Sequence, residues 1–245
     1  MNLAKFLKLL VLCSFLLLVC SCGVQNKMRT VTDLAYSRTD SINVIYIKEE
    51  NQYVPFLVLS DNYYGNTLLI RRDVIGEQRR LNDYSSYYKD SEMDRFLNDE
   101  YLKRLPEIEP YIVSSNIEIT KDDALGLSKT DTETISRKIF LLSCSELGID
   151  DSPNMAIEGE TLQFFCNEEN RKAYLNGETS SWWLRTPHTY YLSCTYVIGD
   201  NNKIGSTNSY DSNGVRPAFC VSKNVKIELK NGIIDNEQVY VFSTN

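Results

Sequence analysis

Trp182, Trp183 and Arg185 stand together in the string SSWWLRTP, and these are the chain's two tryptophans. Successive strand residues point to opposite faces, so one indole can enter a core while the other stays exposed. Arg185 shares a face with Trp183. An aromatic face beside a guanidinium suits sugars, peptides or carboxylates, which makes Trp183 and Arg185 ligand-binding candidates. The competing reading is a structural lock. Arg185 or Arg216 would then fork onto carboxylates or backbone carbonyls inside the fold, with Trp182, Arg216 and Pro217 completing the motif.

His188 is the single histidine and follows Pro187, in a loop. It is kept as a ligand-binding candidate. A triad would need a nucleophile and an orienting acid, and no G-x-S-x-G elbow accompanies it. Ser86-Tyr87-Tyr88-Lys89 and Ser60-Asp61-Asn62 match two penicillin-binding elements in reversed order, without K-T-G, and read as chance. Asp200-Asn201-Asn202-Lys203 lacks the alternating oxygens of a calcium loop, and no phosphate-cradling glycine loop occurs. Residues 82–88 (NDYSSYY) and 205–214 (GSTNSYDSNG) are rich in Tyr, Ser, Asn and Gly. That mixture suits recognition loops, in which tyrosine gives contact area at low entropic cost. It is also ordinary turn chemistry. Tyr210 and Asn213 join the ligand-binding candidates on this ground.

Cys22 bears on location. A basic start (Lys5, Lys8) precedes the 12-residue apolar run LLVLCSFLLLVC and then Ser21-Cys22. This is the layout of a signal peptide over residues 1–21. The run is too short to cross a hydrocarbon layer of about 30 Å as a helix. Val19-Cys20-Ser21 before Cys22 resembles a bacterial lipobox, which implies cleavage there and acylation of Cys22. Several acyl chains on one residue give stable anchoring to the membrane. Without Lys5 and Lys8 the chain keeps 24 basic against 33 acidic residues, a net of −9. That balance argues against nucleic acid and against anionic headgroups. Cys144, Cys166, Cys194 and Cys220 remain. An exported location lets them pair in any of three ways, although three of them sit beside apolar runs where cysteine acts as a small hydrophobe. No C-x-x-C spacing for zinc or dithiol chemistry occurs, and no cofactor is called for.

These residues need elements to position them. Residues 22–40 read as a polar tether and residues 41–245 as one domain. Three strand-like runs (42–48, 53–59, 67–71) suggest a meander, with Pro55 marking an edge strand or the start of its strand. Ser91 and Asp94 resemble a capping box. Met93, Phe96, Leu97 and Tyr101 then recur at helical spacing, and Pro106 ends the helix. Residues 135–142 read as a buried strand that feeds a short turn stopped by Gly148. Asn167 caps a short helix. The last third reads as short strands: SSWWLR, YYLSCTYVI, KIGST, GVRPAFCV, NVKIEL and QVYVF. Helices early and strands late give an α+β expectation.

Three ordered strings carry a resemblance: SEMDRFLNDEYL (91–102), KIFLLSCSE (138–146), and SSWWLRTP (180–187) followed by GVRPA (214–218). Together they resemble a bacterial family of exported or surface domains with no assigned activity, domain of unknown function 6273. Its closing motif is similar to that of the formylglycine-generating enzyme superfamily, which implies a C-type-lectin-like fold with short antiparallel strands and one or two helices. Thr186 departs from the more usual Ser, and Cys144, Cys194 and Cys220 are not expected in the pattern. The wider superfamily's oxidases bind copper through a cysteine pair. Cys194 and Cys220 lie near the matching strands without aligning to that pair, so catalysis is not carried over. Because both arginines belong to motifs shared across the family, the lock reading is favoured. The expectation is a lipid-anchored, extracytoplasmic binding module for a glycan, peptide or protein. A cysteine- or metal-dependent enzyme of the formylglycine-generating type and an envelope scaffold are the alternatives.

Overall fold

The computed structural model describes residues 29–150, 152–234 and 237–243. The signal segment and Cys22 lie outside them. Strands β1 (Val44–Glu49), β2 (Gln52–Tyr63) and β3 (Asn66–Arg71) form the expected meander. Tyr64 and Gly65 turn β2 into β3, both with positive φ (45° and 87°). That conformation matches the right-handed twist of a hairpin and favours glycine. Pro55 is not on an edge strand, since β2 lies between β1 and β3. Its carbonyl accepts from Arg72 N at 2.9 Å, one residue past the end of β3, so its missing N–H falls where that ladder stops.

The chain continues through β4 (Ile112–Val113), β5 (Ser115–Thr120), β6 (Thr132–Arg137), β7 (Ile139–Phe140), β8 (Tyr174–Leu175) and β9 (Glu178–Thr179). Then come β10 (Trp182–Pro187), β11 (Cys194–Ile198), β12 (Ile204–Asn208), β13 (Ala218–Val221), β14 (Ile227–Ile234) and β15 (Glu237–Phe242). The main sheet runs β14-β15-β1-β2-β3-β13-β4, and β7 also pairs with β13. The β1–β15 pair is parallel and the others are antiparallel, so the sheet is mixed. A second sheet holds β10-β11-β12, and β5 with β6 forms a separate hairpin.

The α+β, C-type-lectin-like expectation is overturned. The described chain is mostly β, and its one helix of substance runs from Glu92 to Arg104 through α, π and 3-10 geometry. The helical signals at 145–147 and 168–171 give single 3-10 turns. Both stretches are too short to sustain a helix, whose nucleation is costly. Residues 107–134, to which the sequence pattern assigns no element, contribute β4, β5 and the start of β6.

The tether is also shorter than expected. From Thr30 the chain is docked: Val31 N donates to Val225 O at 2.9 Å, and Val31, Leu34 and Ala35 are buried. Their i, i+3, i+4 spacing puts three apolar side chains on one face of a helical turn.

Candidate functional site

All six residues of β10 are buried, so the expected split into one inner and one outer indole does not occur. Trp182 Nε1 donates to Arg171 O at 2.9 Å and Trp183 Nε1 to Arg79 O at 2.6 Å. Backbone from both sides closes over the strand: Trp183 N donates to Gly214 O and Arg185 N to Leu142 O.

Arg185 is fully buried, and each of its five donors finds an acceptor. Nε donates to Glu118 O (2.9 Å). Nη1 donates to Leu141 O and Glu146 Oε2 (both 2.8 Å), and Nη2 to Glu146 Oε1 (3.0 Å) and Glu158 O (2.6 Å). The fork on Glu146 is bidentate, the strongest geometry for this pair. Burial works against the guanidinium's charge, yet the Glu146 carboxylate holds its pKa above the ordinary value. Tyr63 Oη and Ser143 N also donate to Glu146. Glu158 is buried too and accepts from Thr120 N, Thr120 Oγ1 and Thr186 Oγ1. Burial raises its pKa, against the opposing pull of Arg185 and those hydroxyls. Trp183 and Arg185 are therefore a lock joining β5, β10 and the 141–158 segment, with no face offered to a ligand. Sequence reasoning missed Glu146 and Glu158 as its acids; only the E of KIFLLSCSE hinted at the first.

Arg216 is buried beneath Trp182, with its guanidinium 5.0 Å from the indole centroid and Nε donating to Arg71 O at 2.9 Å. Pro217 O accepts from Arg71 N. Asn213, expected at a ligand, is 8% exposed; its Oδ1 accepts from Ser181 Oγ at 2.7 Å and its backbone pairs with Arg79.

The exposed chemistry lies in loops. Ser86 N and Oγ both donate to Leu192 O (2.9 and 3.0 Å). Leu81 N and Asn82 N donate to Ser209 O, and Ser209 N donates to Ser193 O. Segments 81–86, 188–193 and 207–211 are thereby fastened together. They carry Tyr84, Tyr190, Tyr191, Leu192 and Tyr210, each more than half exposed. Tyr190 meets Tyr191 edge-on at 4.8 Å, and His188 stacks on Tyr196 and leans on Tyr191. Of the candidates, Tyr210 and half-buried His188 belong to this cluster. Among the described residues no group partners His188 Nδ1, and no acid there orients it as a base. Ser86 acts as a loop staple, not a nucleophile. Tyr190, Tyr191 and Leu192 were missed because YYLSCTYVI reads as one strand. The structure begins β11 only at Cys194, leaving the tyrosines in the loop.

No disulfide joins Cys144, Cys166, Cys194 and Cys220. Burial pushes the Cys220 thiol up to about 12 and raises that of Cys194, so neither is a thiolate near neutrality. Among the described residues no group of three or more His, Cys, Asp or Glu side chains is arranged to hold a metal.

The family model described as "Domain of unknown function (DUF6273)" matches residues 64–223. The chain belongs to this family. The DUF6273 region contains the helix, the Arg185 lock, Arg216 and all three tyrosine-bearing loops. It leaves outside β1, β2, β14 and β15, four strands of the main sheet. No curated protein and no solved structure matches the chain.

Proposed function

We propose that the protein is a lipid-anchored, extracytoplasmic lipoprotein of the cell envelope whose DUF6273 domain is a non-catalytic binding module. One observation carries the reading. Four tyrosines and a leucine stand exposed on loops whose backbones are hydrogen-bonded to each other. Tyrosine buries a large rigid surface at low entropic cost and keeps a polar tip for hydrogen bonds, which suits a glycan, peptide or protein surface. Cross-bonding holds the loops before contact, which lowers the cost of ordering them. Among the described residues no helix is long and apolar enough to cross a membrane; the lipobox-like Val19-Cys20-Ser21 before Cys22 supports attachment through acylated Cys22.

The full chain, purified in detergent and screened on glycan and peptide arrays, is expected to retain a ligand. Tyr190→Ala and Tyr210→Ala are each expected to weaken that ligand by about tenfold or more, as removal of a central aromatic contact does. Both side chains are exposed, so thermal midpoints stay put. Undiminished affinity in both variants removes the surface from consideration. For the anchor, Cys22→Ser is expected to abolish labelling by a fatty-acid probe and to release the protein from membranes. A wild-type chain that takes no label would refute the acylation.

A further inference from the structure

A cleft of about 700 Å³ opens past the end of β3, with Arg216, Leu57, Phe164 and Tyr174 among its lining. It shares no residue with the tyrosine surface. Three cations line it, and two have their own acids: Arg72 is paired with Asp73 and Lys172 with Glu169. Arg216 forms no ion pair among the described residues, although it is only 1% exposed. Among the described residues only Nε of its five donors is matched, to Arg71 O, and Nη1 is buried with no acceptor. Such a group stands in contrast to Arg185, whose every donor is answered. Burial lowers the pKa of Arg216 to about 10, with Asp73 pulling the other way. A buried charge and an unmatched donor are both costly unless something pairs them.

We propose that this cleft binds a carboxylate carried next to an apolar group, with the carboxylate accepting from the Nη groups of Arg216. The cleft's volume is that of a small-molecule site. A planar monoanion matches the guanidinium fork. It also matches the charge, because the two internal pairs leave one positive charge over. A phosphate dianion would set its second charge against Asp73 and Glu169. The apolar walls select against a bare anion.

Calorimetry on the full chain tests this with N-acetyl-leucine, its uncharged amide, glucuronate and inorganic phosphate. The acid is expected to bind at least about tenfold more tightly than the amide, the value of one charged hydrogen bond. It is also expected to bind more tightly than glucuronate or phosphate. Arg216→Lys should weaken the acid similarly, but it disturbs the indole contact and can harm folding. Ile42→Glu avoids that problem: Ile42 is 57% exposed on the cleft rim, and a carboxylate there competes for the same charge. It is expected to weaken the acid by about tenfold with an unchanged thermal midpoint. Equal binding of acid and amide, no binding of the acid, tighter binding of phosphate or glucuronate, or indifference to Ile42→Glu each overturns the proposal.

Discussion

Arg185 and Arg216 are the arginines of the strings SSWWLRTP and GVRPA, and the structure treats them differently. A buried ion is tolerable when its charge is paired and its hydrogen bonds are complete. Arg185 meets both conditions through Glu146, while Glu158 lies 3.9 Å from its Nε and is held mainly by threonines. Burial is what acts on the Glu158 carboxyl there. Its pKa is raised in the folded protein, so the folded state keeps a proton that the unfolded chain has released. The stability this group contributes is complete below its ordinary value of 4.5 and is lost as pH rises through the higher folded value. Glu158→Gln keeps an acceptor for Thr120 and removes the titration. Urea denaturation at several pH values is expected to show a flatter profile above pH 4.5 in the variant. An identical slope in both proteins would mean that Glu158 does not titrate as described. The lock was legible in the string W-W-L-R as one of two readings. Its acids were not, because they lie 39 and 27 residues away along the chain and only tertiary contact identifies them.

At the scale of elements, β10 and the segment before β13 meet without room to spare. Gly214 N donates to Ser181 O, and its own carbonyl accepts from Trp183 N. A Cβ there would lie 2.5 Å from Ser181 O and 2.7 Å from Val74 Cγ1. Neither the backbone oxygen nor the β-branched side chain can move aside cheaply. Gly214→Ala is expected to cost about 2 kcal/mol or more, measured by chemical denaturation, from overpacking. A loss below about 0.5 kcal/mol, the ordinary surface value, would show that the approach relaxes freely. The G of GVRPA is thus explained by proximity, which no spacing rule could supply. The helix was easier to read. Ser91 Oγ accepts from Asp94 N at 3.1 Å, and the apolar positions 93, 96, 97 and 101 all face inward, as their spacing implied. The departure is at the cap, where the Asp94 carboxylate accepts from Asp90 N instead of the Ser91 N–H and also holds Arg137. Asp33 does reach the Thr30 N–H in the first turn of the chain, so it is the contacts with Asp90 and Arg137, and not the length of an aspartate, that turn Asp94 away from Ser91.

Across the whole molecule, local signals located most strands but not the sheet they make. Turn residues bounded β1–β3 and the late strands. The parallel pairing of β15 with β1 and the insertion of β13 beside β3 are long-range events that no local pattern encodes. The same limit misplaced the N-terminal boundary. Residues 29–40 look polar overall, but Val31, Leu34 and Ala35 enter the core, and Tyr36 packs edge-on against Phe164 at 5.2 Å. Burying a Val or Leu side chain is worth about 1.5–3 kcal/mol. Losing Val31 and Leu34 together would therefore remove roughly 3–6 kcal/mol from a total that is typically about 5–15 kcal/mol. A chain beginning at residue 29 is expected to unfold with the same midpoint as one beginning at residue 22. A chain beginning at residue 41 is expected to melt many degrees lower or to fail to fold. Matching midpoints at 29 and 41 would show that the docked segment contributes nothing, and the tether would then reach residue 40 after all. The difference bears on the binding reading as well. On the proposed acylation of Cys22, a domain that starts at Thr30 leaves only about seven residues between the two, which tie the domain within about 25 Å of the anchored surface.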